Sequence, residues 1–167
     1  MQPTVVIEVR PFDPTTDADE VAQALVDSSI WHVGLDPERY QVLDTAEVAA
    51  EYRHGRQHRP DARPDERATL VAELDGRVVG VANLRVVYPG GAHQALRYGE
   101  IAELAVATHA RRRGVGSALV TVAEAWARER GCAYTVLDYN SQNVDAGRFY
   151  RDRLGYRPAG EIVLKKL

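Results

Sequence analysis

The segment ATHARRRGVGSAL, residues 107 to 119, constrains the fold of this chain more than any other stretch. It follows an apolar run that is typical of a strand, and it places Gly114 and Gly116 directly before a region of helical periodicity. The apolar residues of that region recur at spacings of four, three and four and are Val115, Leu119, Val122 and Trp126. This pattern predicts a helix with one buried face, which Gly131 can end.

The N-terminal part predicts one strand and two helices. Residues 4–10 favour a strand, and a loop then leads into a short helix with apolar residues at helical spacing. Asp36 and Pro37 favour the start of a second helix that runs to about residue 50. Residues 52–66 are rich in arginine, histidine and proline without periodicity, and we interpret them as an exposed loop.

The middle of the chain predicts three antiparallel strands. Two apolar runs flank Asp75-Gly76, which is a strong hairpin signal, and a third run follows the turn near residue 90. After the helix that follows Gly116 we expect a strand at 132–140, a helix at 143–154 and a last strand at 156–167. The predicted order is β-α-α-β-β-β-α-β-α-β, so the fold class is α/β, a mixed sheet with helices packed on it.

Length and composition favour one ordinary globular domain over residues 1–167, because 167 residues with 45% hydrophobic and 27% charged side chains can bury a core. The single cysteine, Cys132, excludes an internal disulfide and a cysteine-based zinc site. The five histidines show no metal-binding spacing, so we expect no metal. No leader or membrane span is evident, and we expect a cytoplasmic protein.

The turn at Gly114 and Gly116 is typical of a phosphate site. The first N–H groups of a helix lack partners, glycine lets an anion approach them, and adjacent arginines add charge-assisted hydrogen bonds. A P-loop is excluded because no lysine follows the second glycine. A dinucleotide fingerprint stays open through Asp138, about twenty residues on, although Leu119 occupies its third glycine position. The net charge of −3 disfavours nucleic-acid binding.

Two motifs resemble the GCN5-related N-acetyltransferase (GNAT) superfamily. The first is LAVATHARRRGVGSALV, in which Arg111-x-x-Gly114-x-Gly116 is similar to the acetyl-CoA motif that opens a helix after a strand. The second is NVDAGRFYRDRLGY, which is similar to the superfamily pattern Asn-x-x-Ala-x-x-x-Tyr followed by Leu-Gly-Phe/Tyr. The motifs cover about residues 99–158, whereas the first 66 residues show nothing specific.

The resemblance implies a set of residues that bind acetyl-CoA. Backbone amides of the glycine turn would hold the pyrophosphate, the arginines would reach phosphates, and the backbone of the preceding strand would bond the pantetheine arm where two strands separate. The residues concerned are Leu104, Ala105, Val106, Arg111, Arg112, Arg113, Gly114, Val115, Gly116, Ser117, Asn143 and Tyr150. Asn143, Ala146 and Tyr150 would share one helix face, and Phe149 would point into the core.

The resemblance also implies catalytic roles for Tyr150 and Glu103. Tyr150 matches the residue that protonates the leaving thiolate in many members, although a tyrosine that only packs is the alternative. Glu103 resembles the acidic residue that takes the proton of the amine. Glu100, expected on the other face of the strand, and water are the alternative bases.

The function that the resemblance implies is acetyl-CoA-dependent transfer of an acetyl group to a primary amine in a ternary complex. A non-catalytic acyl-CoA-binding module is the main alternative. The sequence does not identify the acceptor amine, and a homodimer is possible because dimers are common in the superfamily. We expect no nucleic-acid partner and no membrane partner.

Overall fold

The structure is a computed structural model that describes residues 6–58, 60, 63–91 and 96–166. Its strands are β1 (Ile7–Pro11), β2 (Arg67–Leu74), β3 (Arg77–Val87), β4 (Tyr98–Val106) and β5 (Tyr134–Val136). Its α-helices are α1 (Ala18–Leu35), α2 (Thr45–Arg53), α3 (Val115–Glu129) and α4 (Val144–Gly147). Short 3-10 turns cover Pro64–Glu66 and Thr108–Ala110, and a π-helical turn covers Arg148–Arg153.

The five strands form one mixed sheet in the order β1-β2-β3-β4-β5. The first three pairs are antiparallel, whereas β5 runs parallel to β4 and is reached through α3. The expected hairpin is confirmed, because Asp75 and Gly76 both have positive φ (54° and 77°), which is the backbone that a tight two-residue turn requires. The predicted fold class is therefore confirmed.

Helices cover both faces of the sheet. A Cβ on Gly80 of β3 would lie 3.0 Å from Val115 and 3.1 Å from Leu119, so this face of β3 packs closely on α3. Asn83, three residues along, points to the opposite face and reaches Tyr52 of α2. The helix predicted after Gly116 is confirmed, with Val115, Leu119 and Trp126 buried.

The predicted boundary between the first two helices is wrong. Asp36 and Pro37 end α1 instead of starting α2, since Asp36 leaves helical geometry (φ −151°, ψ 83°), as residues before proline tend to do. The cap of α2 is Asp44, whose side chain accepts a hydrogen bond from Glu47 N at 2.9 Å.

The C-terminal segment differs from expectation. Residues 156–166 form neither strand nor helix, and Ile162, Val163 and Leu164 are 67%, 86% and 69% exposed. A strand needs a neighbouring backbone to pair with, and β5 at the edge of the sheet is only three residues long.

Candidate active site

The strands β4 and β5 separate in the middle of the sheet. Their ladder contains three pairs and ends at Glu100 opposite Val136. Beyond this point β4 continues to Val106 and pairs with β3 alone among the described residues, with Leu104 opposite Ala82. The edge of β4 that carries the predicted residues 104–106 therefore leaves backbone groups available to a ligand.

A groove of about 340 Å³ begins at this edge and follows the start of α3. Gly114 caps the helix with φ +93°, a backbone conformation that glycine adopts without strain. The lining residues are Val106, Ala110, Arg111, Arg112, Gly114, Val115, Gly116, Ser117, Asp145, Arg148, Phe149 and Arg153. The groove thus brings together most of the residues that the sequence predicts for a phosphate-bearing ligand.

Ser117 supplies a direct indication that the groove suits a polar ligand. Its Oγ is buried and has no hydrogen-bond partner in the described part of the chain. An unpaired buried hydroxyl is costly, so a group that bonds it stabilises the site. Because Ser117 lies in the first turn of α3, where free N–H groups and the helix dipole favour anions, the residues present fit a phosphate.

The three consecutive arginines have different roles in the structure. Arg111 Nε donates to the carbonyl of Val106 at 3.1 Å, and its guanidinium lies 5.7 Å from the ring centre of Trp31. Arg113 pairs with Asp75 at 3.7 Å and lies outside the groove lining. Arg112 is exposed at the groove with φ +65°. Of the three, Arg112 is the one whose side chain is available to a phosphate.

Sequence reasoning missed two further arginines of the groove, Arg148 and Arg153. At 100° per residue, positions five apart lie far from each other around a helix. The π-helical turn over Arg148–Arg153 changes this spacing, since its backbone bonds join residues five apart. Both arginines therefore reach the same groove.

Phe149 packs against the core, as expected, and also lies against the glycine turn. A Cβ on Gly116 would stand 3.3 Å from Phe149 Cζ, and Phe149 lines the groove. Close packing of this ring is thus a second reason, besides approach of a phosphate, for glycine at position 116. Asn143 also has a structural role, because its Oδ1 accepts from Ala146 N at 3.0 Å and caps α4.

Tyr150 sits in an aromatic cluster beside the open edge of β4. Its ring is 4.9 Å from Phe149, 5.6 Å from Tyr139 and 6.0 Å from Tyr156, centre to centre. The hydroxyl has no hydrogen-bond partner among the described residues. Burial raises the pKa of Tyr150 above its ordinary value, and the nearby charge of Glu103 raises it further. The phenol is therefore protonated at neutral pH and free to donate.

Glu103 lies close enough to Tyr150 for its charge to act on the phenol. Its side chain is accessible to water, yet enough protein surrounds the carboxylate for desolvation to raise its pKa, and the charge of Asp138 raises it further. A carboxylate with a raised pKa accepts a proton more readily than an ordinary glutamate. Asp138, which follows β5 and also acts on Tyr150, is the third member of this group.

Glu100 is not on the opposite face from Glu103, as the sequence predicts for residues three apart on a regular strand. The register places Glu103 opposite Asn83 and Glu100 opposite Arg85, two residues along β3. A bulge at Ala102 adds one residue to β4 and so brings both carboxylates to one face. Glu100 forms an ion pair with Arg85, whereas no ion pair of Glu103 is found among the described residues.

Among the described residues, no group of three or more His, Cys, Asp or Glu side chains is placed to hold a metal ion. No described helix combines the length and apolarity needed to cross a bilayer.

The structure thus has a groove suited to an anion at a helix N-terminus, next to a carboxylate and a buried phenol. The family model described as Acetyltransferase (GNAT) family matches residues 30–156. The chain therefore belongs to the GNAT acetyltransferase family, as its motifs predict.

Sequence relatives carry the same family name. The chain is 40% identical over 87 residues to an aminoalkylphosphonate N-acetyltransferase of Salmonella typhimurium, which covers 52% of this chain and 54% of that protein. It is 41% identical over 88 residues to an uncharacterised N-acetyltransferase of Methanocaldococcus jannaschii, covering 52% and 51%. The chain thus matches only about half the length of these curated relatives.

Solved structures share the fold at low sequence identity. An aminoglycoside N-acetyltransferase in complex with CoA superposes with a TM-score of 0.68 at 15% identity, over 100% of this chain and 98% of that chain. A tetramutant of a protein from Bacillus halodurans gives a TM-score of 0.78 at 18% identity, over 96% and 99%. These matches support the fold.

Proposed function

We propose that this protein is an acetyl-CoA-dependent N-acetyltransferase that moves the acetyl group directly to a primary amine in a ternary complex. The observation that carries the proposal is that three features lie next to one another: the groove at α3, whose lining residue Phe149 contacts Tyr150, the open edge of β4, and the pair Glu103 and Tyr150. Each feature meets one requirement of acetyl transfer.

The groove would hold the nucleotide end of acetyl-CoA. The first amides of α3 and the hydroxyl of Ser117 would bond the pyrophosphate, and Arg112, Arg148 and Arg153 would neutralise its charge. The pantetheine arm would extend along the edge of β4 that β5 leaves unpaired. Its amides would bond the backbone there, in the manner of an added strand.

Glu103 and Tyr150 would carry the proton transfers. Glu103 takes one proton from the acceptor ammonium, directly or through water, and the neutral nitrogen attacks the thioester carbonyl. The C–N bond forms, the C–S bond then breaks, and the thiolate of CoA leaves. Tyr150 donates its phenolic proton to that thiolate, and the second proton of the acetylated nitrogen returns to the tyrosinate, directly or through water. The products are the neutral amide and free CoA thiol, and Glu103 releases the first proton to solvent.

Release of CoA thiol tests this function. Acetyl-CoA is incubated with an amine panel that includes an aminoalkylphosphonate and an aminoglycoside, the acceptors named for relatives of sequence and of fold. We expect amine-dependent thiol release above the rate of acetyl-CoA hydrolysis, and mass spectrometry should find the acetylated amine. Tight acetyl-CoA binding without transfer to any amine would instead support a non-catalytic acyl-CoA-binding module.

A further inference from the structure

A chain of hydrogen bonds crosses the sheet on the face that α2 covers. His58 Nε2 lies 2.9 Å from Thr69 Oγ1, Thr69 Oγ1 lies 2.8 Å from Asn83 Oδ1, and Asn83 Nδ2 lies 2.6 Å from the Tyr52 hydroxyl. Tyr52, Asn83 and Thr69 are 3%, 6% and 9% exposed. Buried polar groups that are fully bonded in this way adopt one arrangement, because any broken bond leaves an unpaired group.

The Asn83 amide places Oδ1 at Thr69 and Nδ2 at Tyr52, and this placement sets the direction of each hydrogen bond between these side chains. Thr69 has one hydroxyl proton and donates it to Asn83 Oδ1, so its oxygen must accept from His58 Nε2. Burial lowers the pKa of His58, and Arg67 lowers it further, so the ring is neutral with its proton on Nε2. The Asn83 amide then donates to the Tyr52 oxygen.

Tyr52 is therefore left with a proton to donate. Its oxygen accepts from Asn83, and no acceptor for its own proton lies within hydrogen-bond distance in the described parts of the chain. Burial raises the pKa of Tyr52 above its ordinary value, so the hydroxyl keeps that proton across the pH range of an assay. A buried donor without a partner marks a place where one is expected.

Glu103 is the acceptor that the strand register brings to the same face of the sheet. It stands directly opposite Asn83 in the β3–β4 register, and opposite residues of antiparallel strands have Cβ atoms about 5 Å apart on the same face. The carboxylate also acts electrostatically on Tyr52. The hydroxyl of Tyr52 and the carboxylate of Glu103 are thus neighbours across Asn83.

We propose that Tyr52 is a positioning residue for the base: its hydroxyl, oriented by Asn83, Thr69 and His58, donates to the Glu103 carboxylate directly or through one water. The inference rests on the proposed function, in which Glu103 takes the proton of the amine. The bond fixes the carboxylate on the acceptor side of the cleft. It also stabilises the charged form and so opposes the influence of Asp138.

Other charged or titratable groups act on Glu103 or on Tyr52. Asp138 after β5 and Tyr150 on the π-helical turn interact with Glu103, and Glu51 on α2 interacts with Tyr52. Glu100 lies on the same face of β4 as Glu103 and pairs with Arg85. None of them changes when the hydroxyl of Tyr52 is removed, so a Tyr52→Phe variant isolates its contribution.

The first test measures the Glu103 carboxylate by carbon NMR during a pH titration, with Glu103→Gln used to assign its signal. In Tyr52→Phe we expect the pKa of Glu103 to rise by about one unit, the size expected for loss of one hydrogen bond to a charged group. The phenylalanine ring keeps the edge contact with Phe12, 5.6 Å between ring centres. Tyr88→Phe is the control, since Tyr88 bonds Glu66 at an exposed site.

A second pair of variants, at Thr69, tests the same series of hydrogen bonds away from Tyr52, in case Tyr52→Phe does not fold. Thr69→Val removes the donor that orients the Asn83 amide and should raise the pKa of Glu103 by a smaller amount. Thr69→Ser keeps the hydroxyl and should match the parent. Equal shifts in both Thr69 variants would contradict a role for the hydrogen bond.

Kinetics give the functional readout. In Tyr52→Phe the pH at which kcat/KM falls on the acid side should rise by the same amount as the pKa of Glu103 measured by NMR. The KM for acetyl-CoA should stay within twofold of the parent value. A lower melting temperature with an unmoved pKa of Glu103 would show a purely structural role and overturn the proposal. The NMR titration does not require turnover. An inactive parent protein would therefore refute the proposed function, while the measured pKa of Glu103 would still decide whether Tyr52 positions its carboxylate.

Discussion

The role of Tyr150 as proton donor can be tested by Tyr150→Phe, because the structure separates its hydroxyl from its packing. The ring contacts with Phe149, Tyr139 and Tyr156 are retained by phenylalanine. The hydroxyl has no partner among the described residues, so its removal should change the free energy of unfolding by less than about 1 kcal/mol.

The expected effect on chemistry is much larger. A positioned general acid contributes at least about 10²-fold to rate, and a loss of that size corresponds to about 2.7 kcal/mol of transition-state stabilisation. Because burial holds the pKa of Tyr150 above its ordinary value, the donor is protonated throughout a neutral pH range. We therefore expect kcat to fall by the same factor at every pH near neutrality, with no new decrease of kcat as the pH rises.

The assay compares thiol release from acetyl-CoA across pH for the parent, Tyr150→Phe and Tyr139→Phe. Tyr139→Phe is the matched control, because its ring stacks on Tyr150 and the same single oxygen is removed. The dissociation constant for acetyl-CoA, measured by calorimetry, should stay within about twofold in both variants. Equal kcat of parent and Tyr150→Phe at every pH would refute the general-acid assignment.

Three further variants test the groove, the base and the fold. Gly116→Val should weaken acetyl-CoA binding at least about tenfold in calorimetry, because its Cβ already meets Phe149 at 3.3 Å; unchanged affinity would argue against the groove. Glu103→Gln should lower kcat/KM about 10²-fold. It should also abolish the decrease of kcat/KM at acid pH, which in the parent should occur above the usual glutamate pKa because burial raises the pKa of Glu103. If the variant keeps that decrease, another group is the base. Asp17→Asn should lower the free energy of unfolding in urea by about 3 kcal/mol, because the buried carboxylate pairs with Arg10 at 2.7 Å. The hydrogen bond from Arg10 lowers the pKa of Asp17, so this stabilisation is present above the unfolded pKa near 4 and lost as pH falls. An equal acid sensitivity of parent and variant would contradict it.

Local patterns in the sequence correctly predicted the turns and helices that depend on residues close together in the chain. The hairpin at Asp75-Gly76 and the helix after Gly116 follow from turn chemistry and from apolar spacing, and both are confirmed. The start of α2 was misplaced because Asp36 and Pro37 can either begin or end a helix. Only the neighbouring helix, which continues to Leu35, decides between these two outcomes.

The candidate site likewise combines features that local sequence predicts with features that depend on contacts between distant segments. The sequence identified the glycine turn and indicated Glu103 and Tyr150 through a family resemblance, and in the structure the two side chains interact and both have raised pKa values. It did not predict the bulge at Ala102, which brings Glu100 to the face of Glu103. A bulge depends on how two strands pair, and no periodicity within one strand reports it.

By itself, the sequence determined the order of elements through the last helix, the family and the glycine turn at the start of α3, because each rests on residues close together in the chain. Only the tertiary structure decided which arginines line the groove and which side chains bond across the sheet. Arg148 enters the groove through a π-helical turn, and Tyr52 accepts a hydrogen bond from Asn83, 31 residues away. Such contacts are set by packing between distant segments, which a linear pattern does not encode.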